Sequence, residues 1–258
     1  MFAKNASLNY SLQNLEKNMS QTKQLLAYAR HGDFAHPGEV EAIQLAMAPI
    51  PKNQSQRLLD VGCGLGGTAH YLQQRNWGEI TGIDLDNELI QYAKKHYPEV
   101  SFVQGDILQL EIPQTFNVIY CFNSFFSFSS QQNALHQFAG LAEEGCNLMI
   151  FDYSRPHASP LESPFPWSKT ASRFHPIYLP ELKEQLSAAG WHFKTSLDIS
   201  TQFEHWYVQL LHYFETKKEA IVAQFDLSLF KQMYDSYQQL LINVREEKMG
   251  GIIVYATR

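Results

Sequence analysis

At 258 residues the chain is long enough to bury one sizeable core, and α/β units commonly reach this length undivided. A net charge of −6 without any Lys/Arg cluster argues against nucleic acid as a partner, since affinity for a phosphate backbone comes from stacked cationic contacts. No segment approaches the roughly 20 apolar residues of a membrane span, and no short apolar run with a cleavage site opens the chain, so a soluble, cytoplasmic protein without membrane contact is expected.

Leu12, Leu15, Met19, Leu25, Leu26 and Tyr28 have approximately helical spacing, which predicts one or two helices within residues 1–30. The turn-rich run from His31 to Gly38 interrupts them, and Glu39 to Met47 reads as a helix starting behind Pro37 and Gly38. Predicted strands at about 57–61, 80–83, 100–103, 117–121, 147–152 and 192–198 then alternate with helical patterns at 67–75, 87–96, 131–142 and 180–189. This is the pattern of an α/β, Rossmann-like, doubly wound sheet, whose right-handed crossovers gather the loops after the strands on one edge. Residues 201–244 read as two or three amphipathic helices, and Gly251 to Tyr255 as a last strand returning antiparallel beside the sixth. The expectation is a seven-stranded mixed sheet with helical lid elements. Cys63, Cys121 and Cys146 lack C-x-x-C spacing and are expected as small core residues in a reducing compartment.

The stretch from Leu58 to Thr68, LLDVGCGLGGT, is an apolar strand that ends in an acid and opens into a glycine turn, a place where nucleotide cofactors are held. Gly62, Gly64 and Gly67 also satisfy the dinucleotide spacing, with Asp84 at the distance of a ribose-binding acid, so this pattern alone leaves a nicotinamide cofactor open. Two more strand ends, Gly82-Ile83-Asp84-Leu85-Asp86 and Gln104-Gly105-Asp106-Ile107-Leu108, bring acids to the same edge. S-adenosylmethionine suits such an edge: its ribose diol matches Asp84, its adenine amino group Asp106, and its ammonium and sulfonium welcome negative charge. Asp60 can hold the turn or approach a cation, while Asp86 or Asn87 is better placed than Asp84 to cap the next helix. Gly62 and Gly64 allow close approach of a ligand. Cys63 is small enough for the turn and is given no chemistry.

The run from Arg57 to Tyr153 resembles the class I S-adenosylmethionine-dependent methyltransferases. Leu58 to Gly67 stands as their first motif, Gly82-Ile83-Asp84-Leu85 as the second and Gly105-Asp106-Ile107 as the third. Gly64-Leu65-Gly66-Gly67, the pair Asp152-Tyr153 and the long insertion before the last strand are similar to the small-molecule branch of phosphoethanolamine and glycine-sarcosine N-methyltransferases. The resemblance implies a cofactor site of Asp60, Gly62, Cys63, Gly64, Gly66, Asp84, Leu85, Asp106, Ile107 and Asn123, with Leu85 and Ile107 enclosing the adenine. It implies S-adenosylhomocysteine as product and N-terminal pieces that cover the cofactor. The chain divides accordingly into a helical cap (1–45), a cofactor-binding core (46–200), a helical insertion (201–244) and a final strand (245–258) of one domain.

The acceptor is expected beside the segment from Cys121 to Phe128. Asn123 can orient a polar group there, and the phenylalanines offer faces to a cation or simply pack the loop. Where phosphobase methyltransferases carry a histidine partnered by an N-terminal tyrosine, this chain has Ser127 and no evident matching tyrosine. Tyr153 can donate a hydrogen bond, and Arg173, in the proline-rich 154–180 segment with Trp167, can bind a phosphate or carboxylate, so Asn123, Tyr153 and Arg173 are the catalytic candidates. His31, His36, His157 and His175 border the cleft as possible bases, although an amine that binds neutral needs none. No histidine pair at helical spacing has a third ligand, so no metal is expected. Phe203, Trp206 and Tyr207 resemble lid residues that close over a methylated cation. These features point to methyl transfer onto a small molecule, most simply an amine nitrogen, by a monomer or homodimer. Oxygen or carbon methylation of an apolar metabolite, and a non-catalytic cofactor-binding regulator, stay open as alternatives.

Overall fold

The computed structural model describes residues 21–158 and 174–258; Leu12, Leu15, Met19, Trp167 and Arg173 fall outside them. Helix α1 is described over residues 21–30 and α2 over Glu39–Met47. There follow β1 (Arg57–Val61), α3 (Gly67–Gln74), β2 (Glu79–Asp84), α4 (Asn87–His96), β3 (Ser101–Gln104), β4 (Phe116–Phe122), a 3-10 turn (Phe125–Ser127), α5 (Gln131–Leu141) and β5 (Ala142–Ser154). The chain continues through α6 (Leu179–Ala188), β6 (His192–Asp198), α7 (Ser200–Thr216), α8 (Lys218–Phe225), α9 (Leu227–Arg245) and β7 (Gly250–Thr257).

The strands form one seven-stranded sheet in the order β3-β2-β1-β4-β5-β7-β6. β1 to β5 run parallel, and β7 lies antiparallel between β5 and β6. This is the predicted mixed, doubly wound sheet. Its central strands are apolar on both faces because each face is covered. Leu58, Val118, Tyr120, Met149 and Phe151 face one core with the cap and insertion helices, while Leu59, Ile119, Cys121, Leu148 and Ile150 face the other with α5 and α6. β5 begins earlier than predicted because Ala142 pairs with Phe116 across a register shift, a long-range pairing that the local pattern does not encode.

Two local devices aim the edge. The Asp86 carboxylate caps α4 by accepting from the N–H groups of Glu88 and Leu89, while Lys94, Lys95 and His96 sit in its last turn. Gly251 lets α7 reach the sheet: a Cβ there would lie 2.6 Å from the Phe203 ring. The insertion forms three helices, and α7 and α9 bury stripes that include Phe203, Trp206, Tyr207 and Phe214, and Phe230, Met233, Tyr237 and Leu240.

The cap is tied to both neighbours. Asp33 accepts hydrogen bonds from Tyr92 (3.2 Å) and Tyr97 (2.5 Å) on the α4 side. On the insertion side, Lys217 donates to carbonyls in the last turn of α1, at Tyr28 (3.2 Å) and Ala29 (2.6 Å), and Trp206 donates to Glu41 (3.0 Å). Among the described residues no helix is long and apolar enough to cross a membrane.

Candidate active site

The parallel register sets the ends of β1, β2 and β3 side by side, so the turn after Val61 folds over the end of β2. Gly62 and Cys63 both donate backbone N–H groups to the Ile83 carbonyl, at 2.8 and 2.9 Å. Gly64 N–H donates to Asp84 Oδ2 (2.8 Å) and Asp86 N–H to Asp84 Oδ1 (3.0 Å), fixing that carboxylate against the turn. The two glycines differ in their reasons. A Cβ on Gly62 would meet the Ser124 Cβ at 2.4 Å, whereas one on Gly64 would find nothing nearer than 3.9 Å, and both residues are left-handed. The close approach at Gly62 is thus made by Ser124 of the protein itself, and the open side belongs to Gly64.

Asp60 is buried beneath this turn. Burial foremost, with the Asp84 charge, pushes its carboxyl up to about 8, against the pull of the neighbouring Tyr120 hydroxyl. Its Oδ2 has no hydrogen-bond partner among the described residues. Cys63 is buried, and desolvation followed by the charges of Asp60 and Asp84 pushes its thiol well up. Leu85 is 62% exposed beside Asp84, and Ile107 is buried across the β3 turn. Asp106 shapes that turn, accepting from Leu108 N–H (3.0 Å) and Gln109 (3.4 Å). A buried acceptor without a donor, an open glycine face, a fixed carboxylate and an exposed apolar side chain form one edge. These residues fit S-adenosylmethionine, which supplies an ammonium, a ribose diol and an adenine plane. No group of three His, Cys, Asp or Glu among the described residues could hold a metal.

Behind this edge, β4 ends in Asn123, held at φ 53° with its N–H donated to the Phe151 carbonyl (2.8 Å). Its Oδ1 is buried and unpartnered among the described residues, and its side chain reaches Tyr153. Ser124 Oγ donates to the Val61 carbonyl (2.6 Å), locking the acceptor loop to the glycine turn. Ser127 donates to the Ser124 carbonyl (2.7 Å) and so closes the 3-10 turn. The pair Asp152-Tyr153 divides its work. The buried Asp152 carboxylate accepts from Tyr153 N–H (2.7 Å) and Phe126 N–H (3.0 Å); burial pushes it up to about 7 against those bonds. Tyr153 is itself buried: Tyr207 donates to its hydroxyl (3.1 Å), and Phe126, Phe174 and Phe203 ring it at centroid distances of 5.1 to 6.2 Å.

Two more residues join this buried cluster that the sequence did not mark as site residues. Tyr237 of α9 lies against Tyr207, and Arg30, whose side chain is 1% exposed, bonds to Tyr237 and pairs with Glu39 at 3.1 Å. Nothing in the periodicity of α1 distinguishes Arg30 from a surface arginine. His36 is placed near the cleft, but its Nδ1–H donates to the Pro37 carbonyl (3.1 Å) and its Nε2 accepts from Thr68 (3.0 Å). Desolvation foremost lowers it to about 3, the Arg30 charge adding to this and the Pro37 bond opposing it, so it is a neutral strut and not a base. His31 and His157 are exposed, and His175 bonds through its backbone N–H to the Phe126 carbonyl (2.7 Å).

Residues 58–145 match a family described as a methyltransferase domain. The sheet order and helices of the chain match the methyltransferase Rossmann-like fold. It is 25% identical over 228 residues to phosphoethanolamine N-methyltransferase 3 of Arabidopsis thaliana, covering 85% of this chain and 46% of that protein. It is also 25% identical over 218 residues to the phosphoethanolamine N-methyltransferase of Plasmodium falciparum, covering 80% of each. The chain thus spans about half the length of the plant relative. Among solved structures, a phosphoethanolamine N-methyltransferase 2 of Haemonchus contortus, bound to phosphomonomethylethanolamine and S-adenosylhomocysteine, superposes with a TM-score of 0.81. It is 16% identical and covers 91% of this chain and 56% of that one.

Proposed function

We propose that the methyltransferase domain moves the methyl group of S-adenosylmethionine to the nitrogen of a small amine, with cap, core, insertion and final strand acting as one unit. The observation that carries this is Asn123: a buried side-chain oxygen without a donor among the described residues, one residue from the Ser124 that packs on the glycine turn, with its side chain at Tyr153. Asp84 holds the ribose diol, Leu85 and Ile107 enclose the adenine, Asp106 faces its amino group, and Asp60 faces the ammonium. The cofactor supplies an electrophilic methyl on a sulfonium. Asn123 Oδ1 accepts an N–H of the neutral amine and turns its lone pair toward that methyl. As the nitrogen–carbon bond forms, the carbon–sulfur pair returns to sulfur, and the nitrogen becomes a cation beside the rings of Phe126, Tyr153 and Phe203. Fixing the two reactants in line is worth up to roughly 7 to 11 kcal/mol of the barrier, which removes the need for a dedicated base.

The names of the relatives support phosphoethanolamine as the first acceptor to offer. The test is transfer from methyl-labelled S-adenosylmethionine to a panel of small amines, including phosphoethanolamine and sarcosine, with the label located by mass spectrometry. Label on nitrogen is expected. Label on oxygen or carbon, or tight S-adenosylhomocysteine binding with no turnover across the panel, overturns the proposal.

A further inference from the structure

Lys23 of α1 places its ammonium 3.5 Å from Asp84 Oδ2 and 3.9 Å from the open side of Gly64. A carboxylate offers about four acceptor positions, two on each oxygen. Here Oδ2 takes Gly64 N–H and Lys23, and Oδ1 takes Asp86 N–H, so one position is left. A ribose diol brings two hydroxyl donors. The two backbone donors are fixed by the turn, whereas Lys23 is the flexible end of a side chain that is 24% exposed. Lys23 is therefore the donor that yields.

We propose that the Lys23–Asp84 ion pair is a displaceable latch through which the N-terminal cap senses the cofactor. This rests on the proposed role of Asp84 in holding the ribose. Occupation of the site exchanges Lys23 for a hydroxyl and detaches α1 from the end of β2, while Asp33 and His36 keep the following loop anchored. The latch sets cofactor affinity by competition, and salt weakens the competitor.

The experiment is calorimetric titration of S-adenosylhomocysteine into the wild type, Lys23→Met, Lys23→Arg, Asp84→Ala and the Lys23→Met/Asp84→Ala double variant, at low and high salt. A partly exposed pair predicts that Lys23→Met binds about 2- to 5-fold tighter, that Lys23→Arg binds like the wild type, and that the gap to the wild type closes at high salt. The gain should vanish in the Asp84→Ala background. Unchanged or weaker binding by Lys23→Met overturns the latch, as does a gain that persists without Asp84. Asp84→Ala that binds as tightly as the wild type instead overturns the role of Asp84 on which the latch stands. Melting temperatures show whether each variant is folded.

Discussion

The two halves of the site are assembled in opposite ways. At the strand edge, the bonds that set the geometry join residues from Gly62 to Glu88 through backbone N–H groups. The buried cluster behind Asn123 draws Arg30 from the cap, Tyr153 from β5, Tyr207 from α7 and Tyr237 from α9, joined by side chains alone. The first half is rigid because a short loop has few other ways to satisfy its donors. The second holds its shape only while cap and insertion stay packed, so a substitution there changes turnover before it changes cofactor binding.

pH separates the halves most strongly. His36, at about 3 when folded, adds stability to the cap that is complete above its unfolded value near 6.5 and is lost as pH falls toward 3. Asp60 and Asp152, at about 8 and 7, work in reverse: their contribution is complete below about 4 and is lost as pH rises through those values. At pH 4.5 the His36 penalty on the cap is on the order of 3 kcal/mol, from two units at about 1.4 kcal/mol each. Hydrogen exchange, corrected for intrinsic rates, should then show amides of 31–37 losing protection between pH 7.5 and 4.5 while β1, β4 and β5 hold or gain. His36→Gln should flatten the cap response, and a uniform change across both regions would break the comparison.

Glycine substitutions sharpen it within the edge. Gly62→Ala combines a left-handed backbone with a 2.4 Å clash and should cost about 3 kcal/mol, read as a lower denaturation midpoint. Gly64→Ala meets no neighbour inside 3.9 Å and should cost only about 1 to 2 kcal/mol of strain. Its loss should instead appear in S-adenosylhomocysteine titration as a drop of roughly tenfold or more, worth about 1.4 kcal/mol.

What could be read from the chain follows the same division. The glycine turn, the acids at the strand ends 60, 84 and 106 and the alternation of strands and helices were legible because turn chemistry and continuous apolar runs are local. The length of β5 was not, since it depends on Phe116 pairing with Ala142. Arg30, Tyr237 and Lys23 were invisible because each acts on a residue far away in the chain, and burial is a property of the packed molecule. His36 illustrates the limit: its segment borders the cleft as expected, but both ring nitrogens are spent on Pro37 and Thr68.

On the acceptor side, Tyr207→Phe removes the donor to Tyr153 and should cost about 1 kcal/mol, seen as a roughly fivefold fall in kcat/KM with S-adenosylhomocysteine affinity unchanged. A parallel loss of cofactor affinity would mean the two halves are not separable.

The smallest effect tests how cap and insertion are held together. Lys217 closes α1 by donating to the Tyr28 and Ala29 carbonyls in its last turn, a position where a cation also meets the negative end of the helix dipole. Partial burial lowers its pKa, so the ammonium is held there by those carbonyls against a desolvation cost. Lys217→Met keeps the aliphatic stem and deletes only the charge. The expected loss is about 0.5 to 1 kcal/mol, concentrated in exchange protection of residues 25–30. Because α1 also carries Arg30, loosening it should disturb Tyr237 and slow methyl transfer by a few-fold, while the Asp84 contacts to Gly64 and Asp86 remain. If exchange in α1 rises but turnover does not fall, the cap serves the strand edge alone, and the buried cluster behind Asn123 is held by the insertion without it.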